Sequence, residues 1–308
     1  MAPSTNESPQ DEVSRLNYIE NSDLFLRQKP YEILSEVPEG CEKSNFKLMT
    51  GQDEIIHDMR GREDQFDLDN HGFQVMQHTL ETTEFDEKTI KMEYIPAIEL
   101  LLKGTDPETE VYVFDWRVHI PLQKSASSVN PIPNQLRSSA LPTPQPGSII
   151  DLNDPGLVLK PVQAVHVDQS PRGAMKQARN ILGNRLDGLE NKRIRIVNIW
   201  RPIRHPVDSW PLAVCDGSTV PQEKLLAVDH VRKYYVGESL YPIPSLDYRW
   251  YYLNRQTRNE VILFKNFDSK ADVLAKCCPH TSFMKEIVSS SSQPRESIEL
   301  RALVISPS

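Results

Sequence analysis

Short strand-like runs rich in β-branched and aromatic residues recur in segment after segment along the second half of the chain, and they commit most of it to β-sheet. Arg193–Trp200 reads RIRIVNIW, Glu260–Lys265 reads EVILFK, and Ser297–Ile305 reads SIELRALVI. Leu212–Cys215 and Tyr248–Leu253 (YRWYYL) are shorter runs of the same kind. Upstream, Val111–Ile120 (VYVFDWRVHI) is rich in β-branched and aromatic residues, and Phe73–Met76 follows the turn signal Asn70-His71-Gly72. Helical spacing is confined to two stretches. In Glu87–Gly104, Ile90, Tyr94, Ile98, Leu101 and Leu102 fall on one face, with a kink expected at Pro96. In Pro171–Asn191, Met175, Ala178, Leu182, Leu186 and Leu189 recur at helical spacing, and Pro171 suits a first turn. The pattern predicts a mainly β fold with flanking helices, of the α+β class.

The 24 prolines outnumber the 12 glycines and crowd into Lys124–Leu159, where neither a helix nor a central strand is sustainable. A connection of that length is expected to be either a disordered segment or a lid. Residues 1–15 are polar and acidic and read as a disordered tail, which leaves 16–308 as one domain. The net charge of -8 argues against nucleic acid as a partner, because phosphate binding needs a concentrated basic surface. The one basic cluster, Lys192–Arg195, leads into the isoleucines of a strand face. No apolar run approaches the roughly 20 residues that cross a bilayer, and neither a secretory nor a transit pattern opens the chain. Cys41, Cys215, Cys277 and Cys278 contain no CxxC pair, so a reducing, cytoplasmic setting is the expectation.

Three signals carry chemistry. The first is His166-Val167-Asp168, because strand side chains at i and i+2 project together and would aim an imidazole and a carboxylate at one point. With one distant histidine this makes a facial triad for Fe(II) that leaves positions open for a co-substrate and oxygen. The tripeptide alone is common, and a surface histidine beside an aspartate is its plainer reading. The second signal is the distal histidine. His57, His71, His78 and His119 precede the tripeptide; His205 lies in a proline-flanked turn, and His230 in a charged segment expected to be exposed. His280 is best placed, after the EVILFKNFDS strand and an intervening helical segment, and before Phe283. The third is Arg295-Glu296-Ser297, where an arginine and a serine two apart can clamp a carboxylate. Arg301 has the same strand parity and stands as an alternative clamp. There is no GxSxG elbow, GxxxxGK[ST] loop, HExxH or GxGxxG.

A more specific pattern lies at Val197–Asp216, VNIWRPIRHPVDSWPLAVCD. Its N-x-W-R-P, followed by D-x-x-P-L-A-x-C-D, resembles the fungal hydroxylase/desaturase family of the AsaB and CmcJ type, which includes gibberellin desaturases. DMRGRE, NHGFQV, VHVDQSP, CCPHTSF and PRESIELRALV match in the same order, so the resemblance runs from about Lys29 to the C-terminus. It implies a double-stranded β-helix (jelly-roll, cupin-like) core and an enzyme using Fe(II), 2-oxoglutarate and O2 to hydroxylate or desaturate a small natural product. It implies that His166, Asp168 and His280 are the metal ligands, with Arg295 and Ser297 as the first choice of co-substrate clamp and Arg301 as the second. Asn198, Trp200 and Arg201 belong to the family signature and would line the co-substrate pocket or fix the proline-rich turn; Arg201 falls on the opposite strand face from the other two. A cupin-like metalloenzyme with isomerase or hydrolase chemistry and a non-catalytic scaffold are the alternatives. Monomer and homodimer are both open.

Overall fold

The computed structural model describes residues 9–79, 81–82, 84–119, 158–159, 161–288 and 292–308. The largest sheet runs in the order β4 (Phe73–Gln77), β12 (Glu260–Asp268), β7 (Lys192–Pro202), β14 (Ser297–Pro307), β5 (Glu110–His119) and β6 (Val158–Leu159). A second sheet comprises β1 (Glu12–Ile19), β3 (Leu48–Asp58), β11 (Trp250–Tyr252), β8 (Leu212–Cys215) and β13 (His280–Ser282). β10 (Val236–Pro242), β9 (Leu225–Val231) and β2 (Tyr31–Ile33) form a third. This is the expected mainly β jelly roll. Phe73, Trp200, Ile262 and Phe264 of the large sheet meet Leu212 and Val214 of the second and Cys278 just before β13, filling the space between them.

The strongest strand signals come from strands buried on both faces. In β7 and β14 the odd and even positions both find partners, because helices cover the outer face. Val197, Ile199, Leu300 and Ala302 pack against Ile90, Tyr94 and Ile98 of a single helical run. That run is α1 (Glu87–Thr89), a π-turn (Ile90–Tyr94) and α2 (Ile95–Lys103). The wide turn, closed by the Ile95 N–H on the Ile90 carbonyl, precedes Pro96, whose ring has no N–H to continue an α-ladder. A third helix, α3 (Pro171–Leu182), carries Pro171 in its first turn, with Ser170 capping the N–H of Gly173. Its Ala174, Ala178 and Leu182 cover Ile194, Ile196, Leu303 and Ile305 at one end of the large sheet. Met175, expected on that face, is instead exposed; Ala174 takes the inward position.

Other expectations are corrected. β1 begins at Glu12, inside the stretch read as a tail, and the Gln10 N–H already donates to Asp58. β1 and β3 escaped the pattern because much of each faces water, so polar residues interrupt the apolar runs. The proline-rich stretch 124–159 lies outside the described residues except for Val158–Leu159, which form β6. No helix among the described residues is long and apolar enough to cross a membrane. Leu300 is fully buried between the large sheet and the helical run. Leu300→Ala is expected to cost about 2–5 kcal/mol of unfolding free energy in urea denaturation; a loss below about 1 kcal/mol would contradict this packing.

Candidate metal centre

The tripeptide at 166–168 lies on a short extended segment stitched to three neighbours. Val165 N–H donates to Asn17 O at 2.8 Å, Val167 and Leu240 exchange backbone hydrogen bonds at 2.8 and 3.0 Å, and His166 pairs with His280. Val165 and Val167 are fully buried among core residues on one side, which turns His166 and Asp168 to the other. The pairing of the histidines is mutual: His166 N–H donates to His280 O at 3.1 Å and His280 N–H to His166 O at 2.9 Å. Antiparallel partners bonded this way point their side chains to the same face, and the two rings lie 4.4 Å apart between centroids.

The local hydrogen bonds also settle which nitrogen each ring presents. His166 Nδ1 lies 2.8 Å from Ala164 O, and His280 Nδ1 lies 3.0 Å from Cys278 O. A carbonyl only accepts, so Nδ1 carries the proton and Nε2 offers its lone pair. His166 Nε2 is 3.5 Å from Asp168 Oδ1, and His280 Nε2 is 4.0 Å from Asp168 Oδ2. One ligand atom from each residue falls within 4.8 Å of the others. Two neutral imidazole nitrogens and a carboxylate suit a divalent first-row metal, so this donor set fits iron. Burial, with His166 alongside, pushes His280 down to about 3. For His166 burial also lowers the pKa, but Asp168 outweighs it and the net shift is upward. Burial works to raise Asp168, yet Arg301 and both imidazoles hold its carboxyl well below the usual range.

Asp168 is fixed on every side. Its N–H donates to Asn266 Oδ1 at 3.0 Å, and its carbonyl accepts from Ser239 Oγ at 2.7 Å. Its carboxylate accepts from Asn198 Nδ2 at 2.6 Å and from Arg301 Nε and NH2, each at 3.0 Å. Asn198 and Arg301 therefore reach the expected site, but as partners of Asp168. Glu299 completes the group, and burial pushes its carboxyl up to about 7.

Arg295 lines a small cleft of about 40 Å³ together with His166, His280, Trp200 and Leu212. Ser297 is fully buried on β14, and its Oγ has no hydrogen-bond partner among the described residues. Arg295 lies 5.4 Å from the Trp200 ring centroid and donates through NH1 to Trp210 O, while its Nε has no partner among the described residues. Trp210 holds left-handed backbone (φ 52), a costly conformation for a bulky side chain. Burial pulls the Arg295 guanidinium down to about 9. Two buried donors without acceptors beside a metal-ligand set suit a carboxylate ligand.

Arg201 does not reach this site. It sits on the outer face of β7, donates to His78 O at 2.8 Å and lies 5.5 Å from the Tyr94 ring centroid. The segment before His280 is built of turns instead of a helix, with Asp268 accepting from Lys270 N–H at 3.0 Å. His205 is exposed, but His230 is largely buried, contrary to expectation, with its ring 6.0 Å from that of Tyr241. Of the other aromatic residues in the second half, Trp250 and Tyr252 are core and Tyr234 is exposed. Glu299, Asp115 and His119 were missed. Glu299 was legible, since it shares parity with Ser297 and Arg301; the other two depend on the pairing of β5 with β14.

A jelly roll in which two histidines and a carboxylate converge defines the class: this is an oxidoreductase built as a mononuclear non-haem oxygenase. Residues 16–305 match the family model described as an oxidoreductase/YMDC permease-like domain, and the chain belongs to that family. The resemblance to fungal hydroxylase/desaturases holds across it. Hydroxylase/desaturase efuI of Hormonema carpetanum is 29% identical over 88% of this chain and 89% of its own length. Hydroxylase/desaturase CTB9 of Cercospora beticola is 30% identical over 81% and 75%. The solved structure of the iron and alpha-ketoglutarate-dependent endoperoxidase NvfI shares the fold, with a TM-score of 0.78 at 24% identity, covering 97% of this chain and 99% of its own.

Burial pushes the pKa of His230 from 6.5 down to about 4. The unfolded chain protonates near the higher value, so it binds more protons between the two. The resulting contribution to stability is complete above pH 6.5 and is lost as pH falls toward 4. Urea denaturation at pH 7 and pH 4.5 is expected to show a drop in stability that is smaller in His230→Gln than in the wild type; equal drops would contradict a buried, neutral His230.

Proposed function

We propose that His166, Asp168 and His280 hold Fe(II), that Arg295 and Ser297 bind the distal carboxylate of 2-oxoglutarate, and that the substrate is a small natural product of fungal secondary metabolism. The enzyme is an Fe(II)/2-oxoglutarate-dependent dioxygenase that hydroxylates or desaturates it. The observation that carries the residue assignments is the cleft lined by His166, His280 and Arg295, which brings the triad of metal-ligand atoms near a buried arginine whose Nε, like the Oγ of Ser297 two residues on, has no acceptor among the described residues. When bound, the metal and the keto acid supply the activation of dioxygen that removes a hydrogen atom from an unactivated carbon.

The protein's own groups set the conditions. The carbonyls of Ala164 and Cys278 keep both Nε2 lone pairs directed at one point. Phe264, with its ring 4.4 Å from that of His280, shields the buried side of the site from water. Trp200 and Leu212 give the cleft apolar wall, which suits the hydrocarbon part of a substrate beside the polar donors. A non-oxidative cupin-like activity would leave Arg295 and Ser297 without a purpose, and for that reason we set it second. The buried thiols of Cys215, Cys277 and Cys278 suit a reducing compartment, and we assign the enzyme to the cytoplasm.

Substrate-independent succinate formation from 2-oxoglutarate, dependent on Fe(II), tests the co-substrate. Arg295→Lys removes the planar fork and is expected to raise the KM for 2-oxoglutarate about tenfold or more, equivalent to the roughly 1.5–3 kcal/mol of a charged hydrogen bond. Ser297→Ala is expected to raise it by only a few fold, for the loss of about 1 kcal/mol. Succinate production with an unchanged KM in both variants would move the carboxylate elsewhere, and no succinate at all would favour the non-oxidative reading.

A further inference from the structure

Arg301 is the strongest partner of Asp168, and the proposed function gives it no role. Asp115 on β5, Arg301 on β14 and Asn198 on β7 stand opposite one another in the strand register, so their side chains form one row across the inner face of the large sheet. Two of them reach Asp168. Arg301 Nε and Asn198 Nδ2 both donate to Oδ2, at 3.0 and 2.6 Å, while Arg301 NH2 donates to Oδ1 at 3.0 Å. Each carboxylate oxygen has two lone-pair positions in the carboxylate plane. Oδ2 therefore has both filled, and Oδ1 keeps one open. Oδ1 is also the oxygen 3.5 Å from His166 Nε2.

Behind Asp168 the guanidinium is held as firmly. Arg301 NH1 donates to Asp115 Oδ2 at 2.9 Å, and NH2 lies 3.0 Å from Glu299 Oε1. Asn198 Nδ2 lies 3.2 Å from that same Glu299 oxygen, which ties the two donors of Asp168 together. A planar fork shared among three carboxylates has little freedom to turn toward an incoming anion. Arg295 differs, because its acceptor among the described residues is a backbone carbonyl, that of Trp210.

We infer that Arg301 is a positioning residue of the metal centre: with Asn198 beside it and Asp115 and Glu299 behind it, it holds Asp168 so that Oδ1 alone is offered to a divalent cation. The inference rests on the reading that His166, Asp168 and His280 are the ligands. Two-oxygen chelation would require Oδ2 to give up two hydrogen bonds, one of them to a guanidinium. Single-oxygen binding requires none and keeps a coordination position free. The row thus sets the ligand count through the sheet register, and the role of carboxylate clamp falls to Arg295.

Calorimetric titration of the full-length protein with Mn(II), a redox-stable stand-in for Fe(II), followed by 2-oxoglutarate at saturating metal, separates the two roles. Arg301→Lys keeps the charge but cannot hold both oxygens. It is expected to weaken Mn(II) by about 10–100-fold, the usual effect of losing a partner of a metal ligand, and to leave the Kd for 2-oxoglutarate within about threefold. Asp115→Asn, which reaches the centre through the Arg301 guanidinium and otherwise meets Arg117 NH1 and the Trp116 N–H, is expected to weaken Mn(II) in the same direction by less, and it carries the test if Arg301→Lys does not fold. Wild-type Mn(II) affinity in both variants would overturn the inference. So would intact metal binding with lost 2-oxoglutarate binding in Arg301→Lys, which would make Arg301 the clamp. His166→Ala serves as the control: if it binds Mn(II) like the wild type, the metal centre itself is wrong, and this inference falls with it.

Discussion

The mutual backbone hydrogen bonds between His166 and His280 are the constraint on which the site depends. Residues 114 positions apart become an antiparallel pair, and that geometry alone places both imidazoles on one face. The arrangement is braced from outside. Cys215 N–H donates to Pro279 O and Cys278 N–H to Lys265 O, so the chain is held on both sides of the turn into His280. Beneath it Asp268 accepts from Lys265 Nζ at 2.6 Å and from Arg193 Nε at 3.0 Å, a buried charge cluster that fixes where the turn begins. Gly217 allows the closest approach: a Cβ there would lie 2.0 Å from Cys277 O. The support for the second histidine is thus spread over β7, β8, β12 and the turn at Gly217.

β14 and the residues that lead into it supply two arginines with opposite circumstances. Arg301 is shared among Asp168, Asp115 and Glu299, whereas Arg295 lies over Trp200 with a donor left unused. Buried ion pairs pay a desolvation penalty that only good geometry offsets. At Arg301 that geometry exists, because strand register places Asp115 and Asn198 directly opposite. A carboxylate kept anionic by its buried partners, two imidazoles with their lone pairs already directed, and an arginine with one N–H unused are all in place without a ligand.

Much of this was legible in the sequence, and the omissions share a cause. The i, i+2 spacing of His166 and Asp168 was enough to put them on one face, and β7, β12 and β14 announced themselves because both faces are buried. β1 and β3 did not, since their solvent-facing residues dilute the pattern. Strand parity placed Arg201 opposite Asn198 and Trp200, which is how it comes to face Tyr94 and His78 instead of the cleft. What parity could not supply was register. Nothing in SIELRALVI states that Arg301 stands across from Asp115 on one side and Asn198 on the other. The partners of Asp168 were therefore read as co-substrate contacts. His230 was misjudged for a related reason: a charged segment reads as exposed, while the imidazole itself turns toward Tyr241.

The most direct test of the centre is an anaerobic titration of the Fe(II)-loaded protein with 2-oxoglutarate, followed by visible absorption. A weak metal-to-ligand charge-transfer band that saturates at one co-substrate per chain, and is missing from both His166→Ala and His280→Ala, is the predicted result. A protein that binds no iron, or a band that persists in both variants, would contradict the assignment of this histidine pair as the metal site.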